Sequence, residues 1–126
     1  MIIGLGIDVI EVERIRSILE RHGKNFLRHV FTDDEQAEAP EGTAAAAAYY
    51  AGRWSAKEAV AKALGTGIGQ DCYWRNIQVV RWPSGKPAIK LTGPGEATAR
   101  RLGIARLHVS ISHERGIACA SVVAEG

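Results

Sequence analysis

The sequence predicts an α+β fold, a mostly antiparallel sheet packed with one long helix, in a single domain over residues 1–126. Two observations predict it. Segments with period-two apolar patterning open and close the chain, and an alanine-rich segment of helical length lies between them. The order is then strand, helices and a run of strands joined by short turns, which is not the alternation of a doubly wound parallel sheet.

Residues 2–10, IIGLGIDVI, read as a strand with Ile3, Leu5, Ile7 and Val9 on one face and Gly4, Gly6 and Asp8 on the other. Glycines in a strand let another backbone or a ligand come close. Residues 11–22 read as a helix with an apolar stripe of Val12, Ile15, Ile18 and Leu19. Arg14, Arg21 and Arg28 recur every seven residues, and Glu11, Glu13 and Glu20 offer them helical ion pairs. His22 and His29 read as surface residues. In FTDDEQ, Thr32 and Glu35 have the spacing of a capping box, and Asp33 and Asp34 suit the positive end of a helix. Pro40 and Gly42 interrupt the chain, and Thr43 can cap a helix over 44–64 that Gly65 stops. Gly52 lies inside that helix at a cost of about 1 kcal/mol relative to Ala. A hairpin follows around Pro83–Gly85, then a short helix with Pro94 in its first turn and Gly103 past its end. LHVSISH alternates Leu107, Val109 and Ile111 against His108, Ser110 and Ser112, which gives His113 the parity of the apolar face. A turn at 114–116 leads to the last strand, IACASVVA.

Composition narrows the function. The formal charge is +2 with no long basic run, which argues against a nucleic-acid binder but allows a local basic patch for an acidic partner. Cys72 and Cys119 lack metal-type spacing and read as reduced structural thiols. The apolar N-terminus is too short to span a bilayer and has no basic n-region, so the expectation is a cytoplasmic protein without membrane partners.

The chemistry-bearing stretch is GRWSAKEAVAKALGTGIG, residues 52–69. Glu58 and Lys62 share a helix face in the favourable order for an ion pair, worth about 0.2–0.5 kcal/mol. Arg53 and Lys57 form a like-charge pair at the same spacing, unfavourable unless an anion lies nearby. GTGIG lacks the ending of a Walker A loop and the placement of a dinucleotide fingerprint, and it reads as a C-cap and turn or as a phosphate-facing loop. His113, at a strand end beside Glu114, can take a proton. Two carboxylates, Asp8 and Glu58, completed by phosphate oxygens and waters, suit an octahedral Mg²⁺. A metal-dependent phosphatase or nuclease, and a module that binds a nucleotide without reacting, use overlapping residues.

Taken in order, GLGIDVIEVERI (4–15), FTDDE (31–35), GRWSAKEAVAKALGTGIG (52–69), NIQV (76–79), GKPAIKLTG (85–93) and HVSISHE (108–114) resemble the holo-acyl-carrier-protein synthases, the small bacterial type of 4′-phosphopantetheinyl transferase. The resemblance covers nearly the whole chain and is least family-like over 36–50. It implies transfer of phosphopantetheine from coenzyme A to a serine of apo-acyl carrier protein, in support of fatty acid biosynthesis. It also implies a homotrimer with active sites at subunit interfaces. Carried over residue by residue, it makes Asp8 and Glu58 the Mg²⁺ ligands, Lys62 the phosphate-contacting lysine and His113 the active-site histidine. Gly65, Thr66, Gly67 and Ile68 match the loop near the coenzyme, and Arg53, Lys86 and Pro87 match positions near its nucleotide end. Arg14 and Arg21 match the surface that docks the acidic carrier protein. The base that accepts the serine proton stays open among His113, Glu58, Glu114 and water.

Overall fold

A computed structural model describes residues 1–126. The chain runs β1 (Ile2–Glu11), α1 (Val12–Val30), α2 (Asp33–Ala37), α3 (Thr43–Leu64), a 3₁₀ turn (Trp74–Asn76), β2 (Ile77–Arg81), β3 (Pro87–Leu91), α4 (Gly93–Arg101), β4 (Arg106–Glu114) and β5 (Ile117–Glu125). All pairing is antiparallel, as the α+β reading requires. β5 lies between β1 and β4 in a three-stranded sheet, and β2 and β3 form a separate hairpin.

Local chemistry explains most boundaries. The turn between β4 and β5 uses positive φ at Arg115 and Gly116, and β2–β3 turns through Gly85 at φ 89°. Gly65 ends α3 in the left-handed region at φ 80°, where its N–H bonds back to Lys62 O. The capping box forms: the Glu35 N–H donates to Thr32 Oγ1 at 3.2 Å and the Thr32 N–H to Glu35 Oε1 at 2.9 Å. Two expectations differ. α1 does not stop at residue 22. It kinks at the non-helical His22 and resumes to Val30. Thr43 is the first helical residue of α3, and Gly42 holds the cap position without a side-chain bond.

The sheet inverts the usual arrangement of β1. Its glycine face, not its apolar face, packs on α3. A Cβ on Gly4 would lie 2.0 Å from Ala63 O, and one on Gly6 would lie 1.8 Å from Ala59 O. The helix backbone therefore rests directly on the strand, which only glycine permits. Ala56, Ala59, Val60, Ala63 and Leu64 meet Ala120, Val122 and Ala124 of β5 in one core. On the other side of α3, Tyr50 and Ala51 pack with Ile15, Val30 and Phe31. Where α3 lies on the sheet, alanine fills most of the contact.

α3 also buries a cation. Lys57 Nζ lies 2.7 Å from Glu35 Oε1 with both side chains fully buried. It also donates to Ile77 O at 2.6 Å and Trp74 O at 3.1 Å. Glu35 Oε2 accepts the Val79 N–H at 2.8 Å. Burial lowers the Lys57 pKa, and the Glu35 carboxylate opposes that shift. The anion that makes the Arg53/Lys57 spacing tolerable is thus a protein carboxylate from α2. The pair ties α2, α3 and β2 together, and removing one member strands a buried charge. Lys57→Met should cost about 3–5 kcal/mol by urea unfolding. The double variant Glu35→Gln/Lys57→Met should cost less than Lys57→Met alone, and equal costs would mean that charge pairing is not what holds these elements.

Candidate active site

The close approach of α3 to β1 determines what stands beside Asp8. Asp8 follows Gly4 and Gly6 on the helix-facing side of β1, so its side chain meets the outer flank of α3. Lys62 Nζ donates to Asp8 Oδ1 at 3.3 Å and to Ile7 O at 2.9 Å. The expected ion pair of Lys62 with Glu58 is not formed. Lys62 turns to β1 instead, because a backbone carbonyl and a carboxylate are both within reach there.

Glu58 is half-buried on the same flank. Burial first, and the neighbouring Asp8 carboxylate second, push its carboxyl above the usual carboxylate range, while Lys62 pulls it back. Asp8 is mostly buried, with 11% of its side chain exposed, and its Oδ2 has no hydrogen-bond partner. Two carboxylates that repel each other, one with a buried unsatisfied oxygen, fit a divalent cation. No third His, Cys, Asp or Glu joins them, so a cation held here would take its remaining ligands from outside the chain.

The loop after α3 is placed beside this cluster but is not an N–H cradle. The N–H groups of Gly65, Thr66 and Gly67 return to Lys62 O, Ala61 O and Ala61 O, and Thr66 Oγ1 bonds Gly67 O. Of the four residues Gly65, Thr66, Gly67 and Ile68, only Ile68 keeps its N–H out of the capping pattern. The C-cap reading of GTGIG therefore holds for the backbone.

His113 is not part of this cluster within one chain. The register places His113 opposite Ala118 and Ala118 opposite Ile10, on the helix-facing side as its parity predicts. β4 is separated from β1 by β5, about 10 Å across. The His113 ring lies against Gly52, where a Cβ would fall 2.5 Å from its Nε2. Gly52 precedes Lys62 by ten residues, about 15 Å along the helix. The set Asp8, Glu58, Lys62 and His113 is thus split between the β1 and β4 flanks of α3.

Lys86 and Pro87 also lie on the β4 flank. They line a groove between β3 and β4 with Trp82, Arg106 and His108. Lys86 Nζ stands 5.1 Å from the Trp82 ring centre. The sequence reading did not single out Trp82 or Arg106, which line this groove only because β3 packs beside β4.

Arg53 departs from its expected place. It is 1% exposed, its guanidinium packs 4.1 Å from the Tyr49 ring centre, and its Nε has no hydrogen-bond partner. Burial lowers its pKa, and Tyr49 opposes that shift. The helix turns Arg53 and Lys57 inward and Glu58 and Lys62 outward, so Arg53 is not presented with the carboxylates.

Arg14 and Arg21 are both exposed on α1, and neither has a carboxylate within 4.0 Å. The intrahelical ion pairs go to Arg16 instead, which lies 3.3 Å from Glu13 and 3.5 Å from Glu20. β1 runs directly into α1, so these free cations begin six residues after Asp8. Both cysteines are free, and burial raises the Cys72 thiol to about 11, which keeps it protonated and unreactive. No helix is long and apolar enough to cross a membrane.

Comparison with known proteins identifies the family. The sequence profile of the 4′-phosphopantetheinyl transferase superfamily matches residues 4–120. The chain is 44% identical over 129 aligned positions to a holo-[acyl-carrier-protein] synthase of Mesorhizobium japonicum, covering 99% of this chain and 93% of that protein. A crystal structure of the Neisseria meningitidis holo-[acyl-carrier-protein] synthase superposes with a TM-score of 0.91 at 35% identity, covering all of both chains. The Helicobacter pylori enzyme in complex with coenzyme A gives a TM-score of 0.85 at 30% identity, covering 96% of this chain and 99% of that one. Sequence and fold agree: the chain belongs to the holo-[acyl-carrier-protein] synthase family of 4′-phosphopantetheinyl transferases.

Proposed function

We propose that this enzyme moves 4′-phosphopantetheine from coenzyme A to a serine of apo-acyl carrier protein in a Mg²⁺-dependent reaction that supports fatty acid biosynthesis in the cytoplasm. The observation that carries this reading is the meeting of Asp8, Glu58 and Lys62 where α3 crosses β1, with Asp8 Oδ2 buried and unpartnered. Asp8 and Glu58 would hold the metal, which when bound supplies Lewis-acid stabilisation and a template for the coenzyme's pyrophosphate. In the reaction the serine Oγ forms a bond to the phosphorus that carries pantetheine. The bond from that phosphorus to the bridging oxygen breaks, and adenosine 3′,5′-bisphosphate leaves with the electron pair. The serine proton passes to His113, with Glu58, Glu114 or water as the competing acceptors. Lys62, held by Ile7 O and Asp8, offers its ammonium to the leaving phosphate. Lys86 and Pro87 would meet the nucleotide end, Gly65 to Ile68 would border the coenzyme, and Arg14 and Arg21 would receive the acidic carrier protein. Arg53 would contribute there only by moving off Tyr49.

Two observations support a homotrimer with sites at its interfaces. The outward face of the sheet carries Leu5, Ile7 and Val9 at 68%, 65% and 60% exposure, an apolar strip in need of a cover. The β1-flank residues and His113 also lie on different sides of α3. Head-to-tail contacts that join the β1 flank of one copy to the β4 flank of the next close into a ring and reunite them.

Intact-mass analysis tests the reaction. Apo-acyl carrier protein incubated with the enzyme, coenzyme A and Mg²⁺ should gain one phosphopantetheine, and EDTA should abolish the gain. Release of phosphate without modification of the carrier would make the chain a hydrolase instead. Lys62→Met should lower kcat by about 10²–10³-fold. Arg14→Glu/Arg21→Glu should raise KM for the carrier about tenfold or more, reinforced by salt, and leave coenzyme A binding intact. Equal weakening of both substrates would count against docking at α1. Leu5→Glu should dissociate the oligomer in light scattering and remove activity. Mixed assemblies of Asp8→Asn and His113→Ala subunits should recover a fraction of the wild-type rate, because some interfaces then pair an intact half from each. A fully active monomer would end the interface reading.

A further inference from the structure

We propose that Gly52 is a positioning residue for His113. This inference rests on the reading of His113 as an active-site group. Gly52 sits inside α3, in a tract otherwise rich in alanine, with an ordinary helical backbone that does not require glycine. What requires glycine is the space its side chain would take. A Cβ there would stand 2.5 Å from His113 Nε2, 3.2 Å from His113 Cε1 and 3.1 Å from Ile111 Cγ2. The imidazole therefore occupies the notch left by the missing methyl group, resting on the helix backbone.

No polar partner within the chain does this job. His29 and His108 are held by Asn25 O at 2.7 Å and Glu125 Oε1 at 3.0 Å, whereas His113 makes no side-chain hydrogen bond. A catalytic histidine is ordinarily oriented by a hydrogen bond to its second nitrogen. Here the ring is oriented by shape, between Gly52 below and Ile111 beside it. Ile111 packs against the core and has little room to yield, while the rest of His113 is exposed. A methyl group at position 52 therefore swings the ring outward and leaves the fold intact. The ring displaced is the one that must bring a nitrogen within hydrogen-bond reach of the serine hydroxyl, and a shift of about 1 Å costs on the order of 10²-fold in such geometries.

The experiment is a double-mutant cycle on the full-length enzyme with coenzyme A and apo-acyl carrier protein, using Gly52→Ala, His113→Ala and both together. Gly52→Ala should lower kcat by about 10- to 100-fold and change KM for either substrate by less than about twofold. Its Tm should change by only a few degrees, since the helix preference for alanine offsets the close approach to Ile111. The ring ¹H–¹⁵N correlations of His113 should shift, and the double variant should be no slower than His113→Ala, because both changes act through one group. Full activity in Gly52→Ala with shifted ring signals would overturn the inference and leave the role of His113 standing. Losses that add in the double variant would also overturn it, placing the effect of Gly52 elsewhere. Full activity in His113→Ala would remove the underlying reading and this inference with it.

Discussion

The contact on which the rest of the structure depends is the bare backbone crossing of α3 over β1. At Gly4 and Gly6 the strand has no side chains, and the carbonyls of Ala63 and Ala59 fill the space where they would be. That contact pins the helix close to the sheet. It also brings Asp8, two residues past Gly6 on the same face, level with the flank of α3 that carries Glu58 and Lys62. The two elements need not be joined by a designed polar bridge. Close packing alone brings two carboxylates together, and their repulsion adds to burial in raising the Glu58 carboxyl.

Burying α3 on two sides imposes a second constraint. Its four central charged residues cannot all reach solvent, and they divide by helical phase. Glu58 and Lys62 emerge on the β1 flank. Arg53 and Lys57 turn inward, where Tyr49 covers one and Glu35 neutralises the other. The buried pair is costly to desolvate, but Lys57 also satisfies the carbonyls of Trp74 and Ile77, so the polar groups of three elements are settled at one point. The site on the outside of the helix is held in place by the ion pair on its inside.

The same geometry separates the candidate residues into two groups. Asp8, Glu58, Lys62 and the loop from Gly65 to Ile68 lie toward β1, and His113, Lys86 and Pro87 lie toward β4. β5, which separates the edges, carries small or β-branched residues on its helix-facing side and no acid–base group between them. The apolar outer face of β1 and the separation of these groups are one architectural fact.

The sequence by itself determined the elements and the candidate list. Period two in IIGLGIDVI and LHVSISH, the Thr32–Glu35 spacing, and Gly65 after an alanine-rich run are local signals, set by backbone sterics and nearest-neighbour hydrogen bonds. They were legible because those forces act within a few residues. The parity of His113 was legible for the same reason. The helix boundary at residue 22 was half legible, because the kink at His22 is local but the resumption to Val30 depends on Phe31 and Tyr50 packing below. Tertiary structure alone decided which face of β1 is inside, that Lys62 turns to Asp8 rather than Glu58, that Glu35 reaches Lys57, and that His113 stands apart from the carboxylates. Each of these joins residues far apart in the chain through burial and close packing, and no spacing rule encodes which distant surface a side chain will meet.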